Sequence, residues 1–303
     1  MIKLKIGIVA AILLLQQSSS ACDICGCSSM GMSGTLFPQI QNNLLGIRYM
    51  PVTLTHANSY NGINNKVYRD IYQDAELFFR WKPSKRLQIW FNVPVGMHLR
   101  EESLRTTQIK GIGDIQVNAM YSLIQTSDSL HAKFSHLLMA GGGIGMPTGK
   151  YQQRDETLTT LPVNFQMGSG AWSLRTTALY LIRYKRAGAQ TQVNFQTFST
   201  NESDFKKGNQ FSGMAQVFYR FPLKNGLILP QIGIRQEKLV EDDEFGKRKL
   251  DSGGNNTWGA FNLDYYANGW MLGLNAQLPV NLQLNGNQAV SGPRFGMTLG
   301  LIW

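Results

Sequence analysis

The sequence predicts an all-β fold: a transmembrane antiparallel up-and-down β-barrel of about 12 strands. Three observations predict it. From Leu44 onward the chain breaks into segments of about 10 to 14 residues with a period of two, the length a tilted strand needs to cross a bilayer. The connections between segments alternate between compact turns and long polar loops. The final segment, Arg294 to Trp303, alternates to its last residue and ends on an aromatic.

Composition narrows the alternatives. The chain has 303 residues, 43% hydrophobic and 16% charged, with 29 basic against 19 acidic side chains. Its mean hydropathy lies just below zero. These values exclude a disordered chain, and three cysteines are too few for a disulfide scaffold. No window after the N-terminus holds the roughly 18 consecutive apolar residues of a spanning helix. A barrel escapes such averages, because its lipid-facing and lumen-facing residues alternate. The basic surplus is not gathered on one face, so no nucleic-acid partner is expected.

Residues 1–21 read as a secretory signal peptide. Lys3 and Lys5 precede the apolar run Ile6 to Leu15, and Ser19-Ser20-Ala21 offers small residues for cleavage. Removing it leaves about +8 on the mature chain. Residues 22–43 then form a Cys- and Met-rich periplasmic segment, and 44–303 the outer-membrane barrel.

Strands are expected at 44–55, 71–82, 86–99, 112–125, 132–146, 168–184, 187–199, 210–222, 226–239, 257–267, 269–280 and 292–303. In the third, Leu87, Ile89, Phe91, Val93, Val95, Met97 and Leu99 point one way, and Gln88, Trp90, Asn92, Pro94, Gly96, His98 and Arg100 the other. The seventh sets Gln190, Gln192, Asn194 and Gln196 against Ala189, Thr191, Val193 and Phe195, a polar face suited to a wet lumen. Compact turns such as Lys82-Pro83-Ser84-Lys85, Lys185 to Gly188 and Ala267-Asn268-Gly269 mark the periplasmic side. Long loops, His56 to Asp70, Lys150 to Leu161 and Leu239 to Asn256, mark the extracellular side.

An even strand number puts both termini in the periplasm of a Gram-negative bacterium, with the barrel in its outer membrane. Phe37, Tyr49, Trp81, Tyr121, Phe221, Trp270 and Trp303 fall near strand ends, where aromatic rings favour the headgroup region. The partners expected are therefore outer-membrane lipid and the barrel assembly machinery, because the aromatic-ended last strand resembles the segment by which such barrels are recognised.

One stretch resembles a known family. Gly111-Ile112-Gly113-Asp114-Ile115, followed by alternating Val117, Ala119 and Tyr121, is similar to the Gly-x-Gly-Asp strand opening of the meta-pathway phenol-degradation family of outer-membrane channels. Segments like that family's next two, Gly141-Gly142-Gly143 to Thr148-Gly149 and Gln166-Met167-Gly168-Ser169-Gly170, follow in the same order. The resemblance implies a porin-like channel or transporter over residues 44–303 and leaves its solute open.

Two features are candidates for function. The alternation directs Arg48, Asp74, Glu76, Arg80, Asn92, His98, Asp114, Gln116, Asn118, Arg175, Arg183, Gln216, Arg220, Asn262, Asp264, Asn275, Gln277 and Arg294 into the lumen. A lumen of both signs suits a small-solute path favouring anions or zwitterions. It equally suits acids and arginines that pair and plug a barrel of intermediate width, leaving a non-conducting anchor, assembly or metal-handling protein. The second feature is Cys22-Asp23-Ile24-Cys25-Gly26-Cys27, with Met30 and Met32 close behind. Soft sulfur ligands select Cu(I) or zinc. A disulfide, acylation of Cys22, or a periplasmic partner docking on this tail are the other readings. The four histidines, His56, His98, His131 and His136, offer no outward pair with serine, so no enzyme is expected.

Overall fold

The computed structural model describes residues 42–60, 64–126, 134–155, 160–249, 252–284 and 289–303, with the backbone alone at 57–60 and 64–67. The described residues form twelve wall strands. β1 comprises Leu44–Tyr49 and Val52–Tyr60, β2 is Asn64–Trp81, β3 is Leu87–Glu102, and β4 comprises Arg105–Ile112 and Ile115–Gln125. β5 is Phe134–Met146, β6 Ser173–Tyr184, β7 Ala187–Phe198, and β8 Gln210–Tyr219 with the extension Phe221–Leu223. β9 is Gly226–Leu239, β10 Gly254–Ala267, β11 Trp270–Leu284, and β12 Ala289–Ser291 with Arg294–Ile302. Neighbours pair antiparallel, and β1 closes on β12 from Leu44 opposite Ile302 to Tyr49 opposite Met297. Closure leaves the wall no free edge.

Side-chain parity builds the two surfaces. On β11, Leu272 and Leu274 are 48% and 49% exposed on the outer wall, while Met271 and Asn275 on either side of them are buried in the lumen. At the end bearing the termini, Trp81, Phe134, Tyr184, Phe221, Trp270 and Trp303 stand exposed on the outside. The turns there are tight: Asn268 and Gly269 both have positive φ, the pair a two-residue hairpin of matching twist requires.

The strands extend further from the terminal end than the sequence suggests. His56 to Asp70 is not a loop. β1 and β2 stay paired from Val52 opposite Tyr72 to Tyr60 opposite Asn64. Both faces of this extension carry polar residues, with Thr53 and Thr55 exposed and His56 and Asp70 buried, so hydrophobic alternation does not reveal it. β4 likewise begins at Arg105, paired with Glu102, and only pauses at Gly113 and Asp114. Gly168 to Gly170, expected inside the sixth strand, lie before it in the connection from Met146 to Ser173.

The interior is filled in layers. Nearer the terminal end Leu44, Phe78, Trp90, Met120, Leu137, Met139, Leu179, Leu181, Phe218, Leu229 and Met271 form one apolar cluster. Nearer the loops Val52, Leu54, Tyr72, Ile109, Leu161, Phe165, Leu284 and Ala289 form a second. Above the wall, Phe205–Lys206, Asp243–Glu244 and Lys247–Arg248 make a small sheet of their own.

Candidate channel lumen and its loop plug

The connection from β5 to β6 folds into the barrel. Its neck is fixed by Asp114, at the break in β4. One carboxylate oxygen accepts the Gly149 N–H at 2.9 Å, and the other accepts the Ser169 N–H at 2.8 Å and the Ser169 hydroxyl at 2.6 Å. Thr148 adds a second tie, its hydroxyl donating to the Gly113 carbonyl and accepting the Ile115 N–H, each at 3.0 Å. The two feet of the loop touch so closely that a Cβ on Gly168 would lie 2.3 Å from the Gly149 carbonyl oxygen. The three glycine-rich motifs of the sequence therefore meet at one latch. Gly111 lies on β4 just before it, facing Met167 of the loop.

Beyond the neck a single 3-10 turn, Val163–Phe165, enters the lumen, with Phe165 fully buried. Gln166 braces the turn by donating to the Leu161 and Gln153 carbonyls at 2.8 and 3.1 Å. The wall supplies a charged socket. Arg100 grips Asp70 through two hydrogen bonds of 2.7 and 2.8 Å, and its guanidinium lies 5.0 Å from the Phe165 ring centroid. His56 approaches the same Asp70 at 3.3 Å. His98 sits between Asp74, 3.0 Å from Nε2, and the Phe165 carbonyl oxygen, 2.8 Å from Nδ1. A cavity of about 140 Å³ remains beside the plug, between Asp74, Gln116, Met167, Gln196 and Lys207.

The plug is also held from above. Asn201 donates to the Ser169 carbonyl at 3.1 Å, Tyr151 to Glu202 at 2.8 Å, and the Gly208 N–H to Asp242 at 2.7 Å. Burial raises the Asp242 carboxyl above its usual range, against the pull of the Gly208 N–H, Lys207, Lys249 and Asn164. The Asn164 bond ties the plug turn directly to this outer layer.

Below the plug the expected lumen residues meet in pairs. Arg48 and Glu76, both buried, lie 3.2 Å apart. Arg175 donates to Gln196 at 2.7 Å. Asp264, fully buried, accepts from Gln231 at 2.7 Å and from Tyr266 at 3.4 Å. Arg294 stacks on Trp258 at 3.9 Å and approaches Glu237 at 3.7 Å. At the terminal end Arg80 and Arg183 are fully buried and donate to the carbonyls of Asn42 and Lys185 at 2.7 and 2.6 Å. Arg220 is half-buried between the two parts of β8.

Arg100 lies on the lumen face with Asn92 and His98, as the alternation of its strand expects, whereas Asp70, Arg235 and Glu237 escape the sequence reading, the last two 2.8 Å apart. Parity marks all three, since Asp70 continues the even face of Arg80 to Tyr72, and Arg235 and Glu237 the odd face of Gln231. Nothing in the sequence marks Phe165 as a plug. Cys22, Cys25, Cys27, Met30 and Met32, with Phe37 and His131, lie outside the described residues.

No protein-family model and no curated protein matches the chain. Among solved structures, the COG4313 outer membrane channel from Pseudomonas putida F1 aligns over 90% of this chain and 98% of its own, with a TM-score of 0.66 at 14% identity. The translocator domain of the autotransporter NalP from Neisseria meningitidis aligns over 91% of each chain at 9% identity, and the CymD monoaromatic hydrocarbon channel over 92% of this chain and 95% of its own at 9% identity. Both give a TM-score of 0.42. The chain thus has the fold of an outer-membrane channel barrel.

Proposed function

We propose that the chain is an outer-membrane channel for small solutes, closed in this conformation by its own β5–β6 loop. The observation that carries the reading is the burial of Phe165. What blocks the outer half of the lumen is a loop segment hung from the wall by side-chain hydrogen bonds, not the wall itself. A segment held in this way can leave without breaking the strand ladder. Planar-bilayer recording of the purified protein tests it: brief, rare openings in the wild type that lengthen when Asp114 is replaced by Ala support the channel. A silent Asp114→Ala barrel that keeps its heat-modifiable mobility would falsify it.

The apolar cluster in the terminal half favours a second reading, a non-conducting barrel serving as anchor or partner protein, and the same recording separates the two. Under either reading the termini lie on the periplasmic side, because the tight turns and exposed aromatics are at that end and the longer connections at the other. Cleavage after Ala21 would then free Cys22, Cys25, Cys27, Met30 and Met32 as a periplasmic tail able to hold Cu(I) or zinc, and to meet a periplasmic partner. Titrating a peptide of residues 22–34 with Cu(I) under reducing conditions tests the tail. Affinity no better than that of a Cys-to-Ser peptide removes the metal from the proposal.

A further inference from the structure

The two sides of the lumen differ in chemistry. Strands β3 to β6 present Trp90, Met120, Leu137, Met139, Leu179 and Leu181, packed into one buried cluster. Strands β7 to β12 add only Phe218, Leu229 and Met271 to that cluster and otherwise present amides and hydroxyls along this stretch of the lumen. Gln216 donates to Gln231, Gln231 to Asp264 at 2.7 Å, and Asn262 to Gln216 at 3.3 Å, so one network runs across β8, β9 and β10. On β7, Gln192 donates to Asn194 at 3.1 Å, and Asn194 passes to Ser212 of β8 at 3.2 Å.

This network is incomplete along its inner edge. Both amide atoms of Gln190, Oδ1 of Asp264, Oδ1 of Asn275 and Oγ1 of Thr298 are buried and have no hydrogen-bond partner in the protein. Gln88 Oε1 and Asn118 Nδ2 are the counterparts on β3 and β4. Buried polar atoms are seldom left unpaired, because each forfeits its bonds to water without replacement. A run of them on β7, β10, β11 and β12 marks a strip that needs a partner from the lumen itself.

We infer that the solute path follows the β7–β12 side, past Gln190, Gln216, Asn275 and Thr298, and selects small uncharged solutes that carry both donors and acceptors, such as short polyols and amides. The inference rests on the channel reading above. Amides offer a donor and an acceptor on one group, so they replace the hydrogen bonds that such a solute leaves behind in water. Ions gain less. Arg48 is held by Glu76, and Arg235 and Arg294 by Glu237, so these charges face one another rather than a passing solute. An anion entering the strip gives up its hydration for amide and hydroxyl dipoles beside the Asp264 carboxyl, and recovers little of it.

The test is swelling of liposomes carrying the Asp114→Ala protein, in which the plug is released. Erythritol and malonamide are the uncharged probes and potassium lactate the anionic one. Erythritol and malonamide are expected to enter faster than lactate by about tenfold or more. Gln190→Leu with Gln216→Leu removes two hydrogen-bonding stations and lowers the uncharged flux by about tenfold. Met139→Leu on the opposite side conserves volume and leaves the flux within about twofold. Unaltered heat-modifiable mobility of the double variant separates lost hydrogen bonding from a misfolded barrel. Lactate entering as fast as erythritol, or a Gln-to-Leu double variant with undiminished flux, overturns the inference and leaves the channel standing. No flux of any probe through a folded Asp114→Ala barrel overturns both.

Discussion

Ser169 is bonded twice to Asp114, through its N–H at 2.8 Å and its hydroxyl at 2.6 Å. With Gly149 on the other oxygen, one carboxylate holds both feet of the plug loop. Hydrogen bonds to an ionised group contribute about 1.5–3 kcal/mol each, so this residue carries much of the loop's attachment. Asn at 114 has a single acceptor oxygen and turns its NH2 toward at least one of the three donors.

Asp114→Asn is therefore expected to raise the open fraction in bilayer recordings by about tenfold or more, and to speed trypsin cleavage after Lys150 and Arg154, which are exposed but held in a fixed backbone path. The barrel itself should keep its heat-modifiable migration, because no ladder hydrogen bond is lost. Unchanged gating together with unchanged trypsin resistance would show that the loop is not held here.

The Asp70 and Arg100 pair makes a different prediction. Both side chains are buried, and breaking such a pair by removing one partner costs about 3–5 kcal/mol, since the remaining charge stays in a poor solvent. Arg100→Leu should lower the barrel's resistance to guanidinium by that order, with Asp70 left only His56 at 3.3 Å. The Asp70→Leu, Arg100→Leu double variant should lose less than the two single variants added together. Strict additivity in a double-mutant cycle would mean the pair is not coupled.

Much of this arrangement is legible in the chain, and the reason is parity. Once Arg80 is set inward, the period of two carries Phe78, Glu76, Asp74, Tyr72 and Asp70 inward with it, and the fold buries Arg80, Phe78, Glu76, Tyr72 and Asp70 accordingly. Hydrophobic alternation ends that strand at Ile71, since Arg69 and Asp70 are charged, whereas cross-strand pairing with Glu101 and Arg100 keeps them in the wall. Phe165 has no such periodicity to betray it. A loop's path is set by contacts distant in sequence, here Asp114 to Ser169 and Arg100 to Phe165, which local pattern does not encode. The family-like glycines were visible as motifs, but that Gly113-Asp114, Thr148-Gly149 and Gly168-Ser169 form one latch required their placement in space.

Asp242 gives the outer layer a pH dependence. Its folded pKa is raised by burial, so the folded loops bind a proton more readily than the unfolded chain does. The stability it contributes is fully present below the ordinary carboxylate pKa and is lost as pH rises through the raised value. Amide exchange at Gly208 and Val240, corrected for its intrinsic pH dependence, should therefore quicken as pH rises above the ordinary carboxylate range. Asp242→Asn should abolish that trend, and a trend that persists in the variant would assign it to another group.

Gly149 and Gly168 separate the latch's geometry from its charge. A Cβ on Gly149 would lie 2.6 Å from the Gly168 Cα, and one on Gly168 2.3 Å from the Gly149 carbonyl oxygen, so backbone stands where the methyl must go. Overpacking of this kind typically costs about 1–3 kcal/mol. The cheapest relief is to part the two feet of the loop, which also lengthens the Asp114 bonds. Gly168→Ala with Asp114 intact is expected to reproduce the open phenotype of Asp114→Asn, and the double variant to add little to either, because both changes release the same segment. If Gly168→Ala gates like the wild type while Asp114→Asn opens, the carboxylate acts on the lumen through its charge and not by fastening the loop.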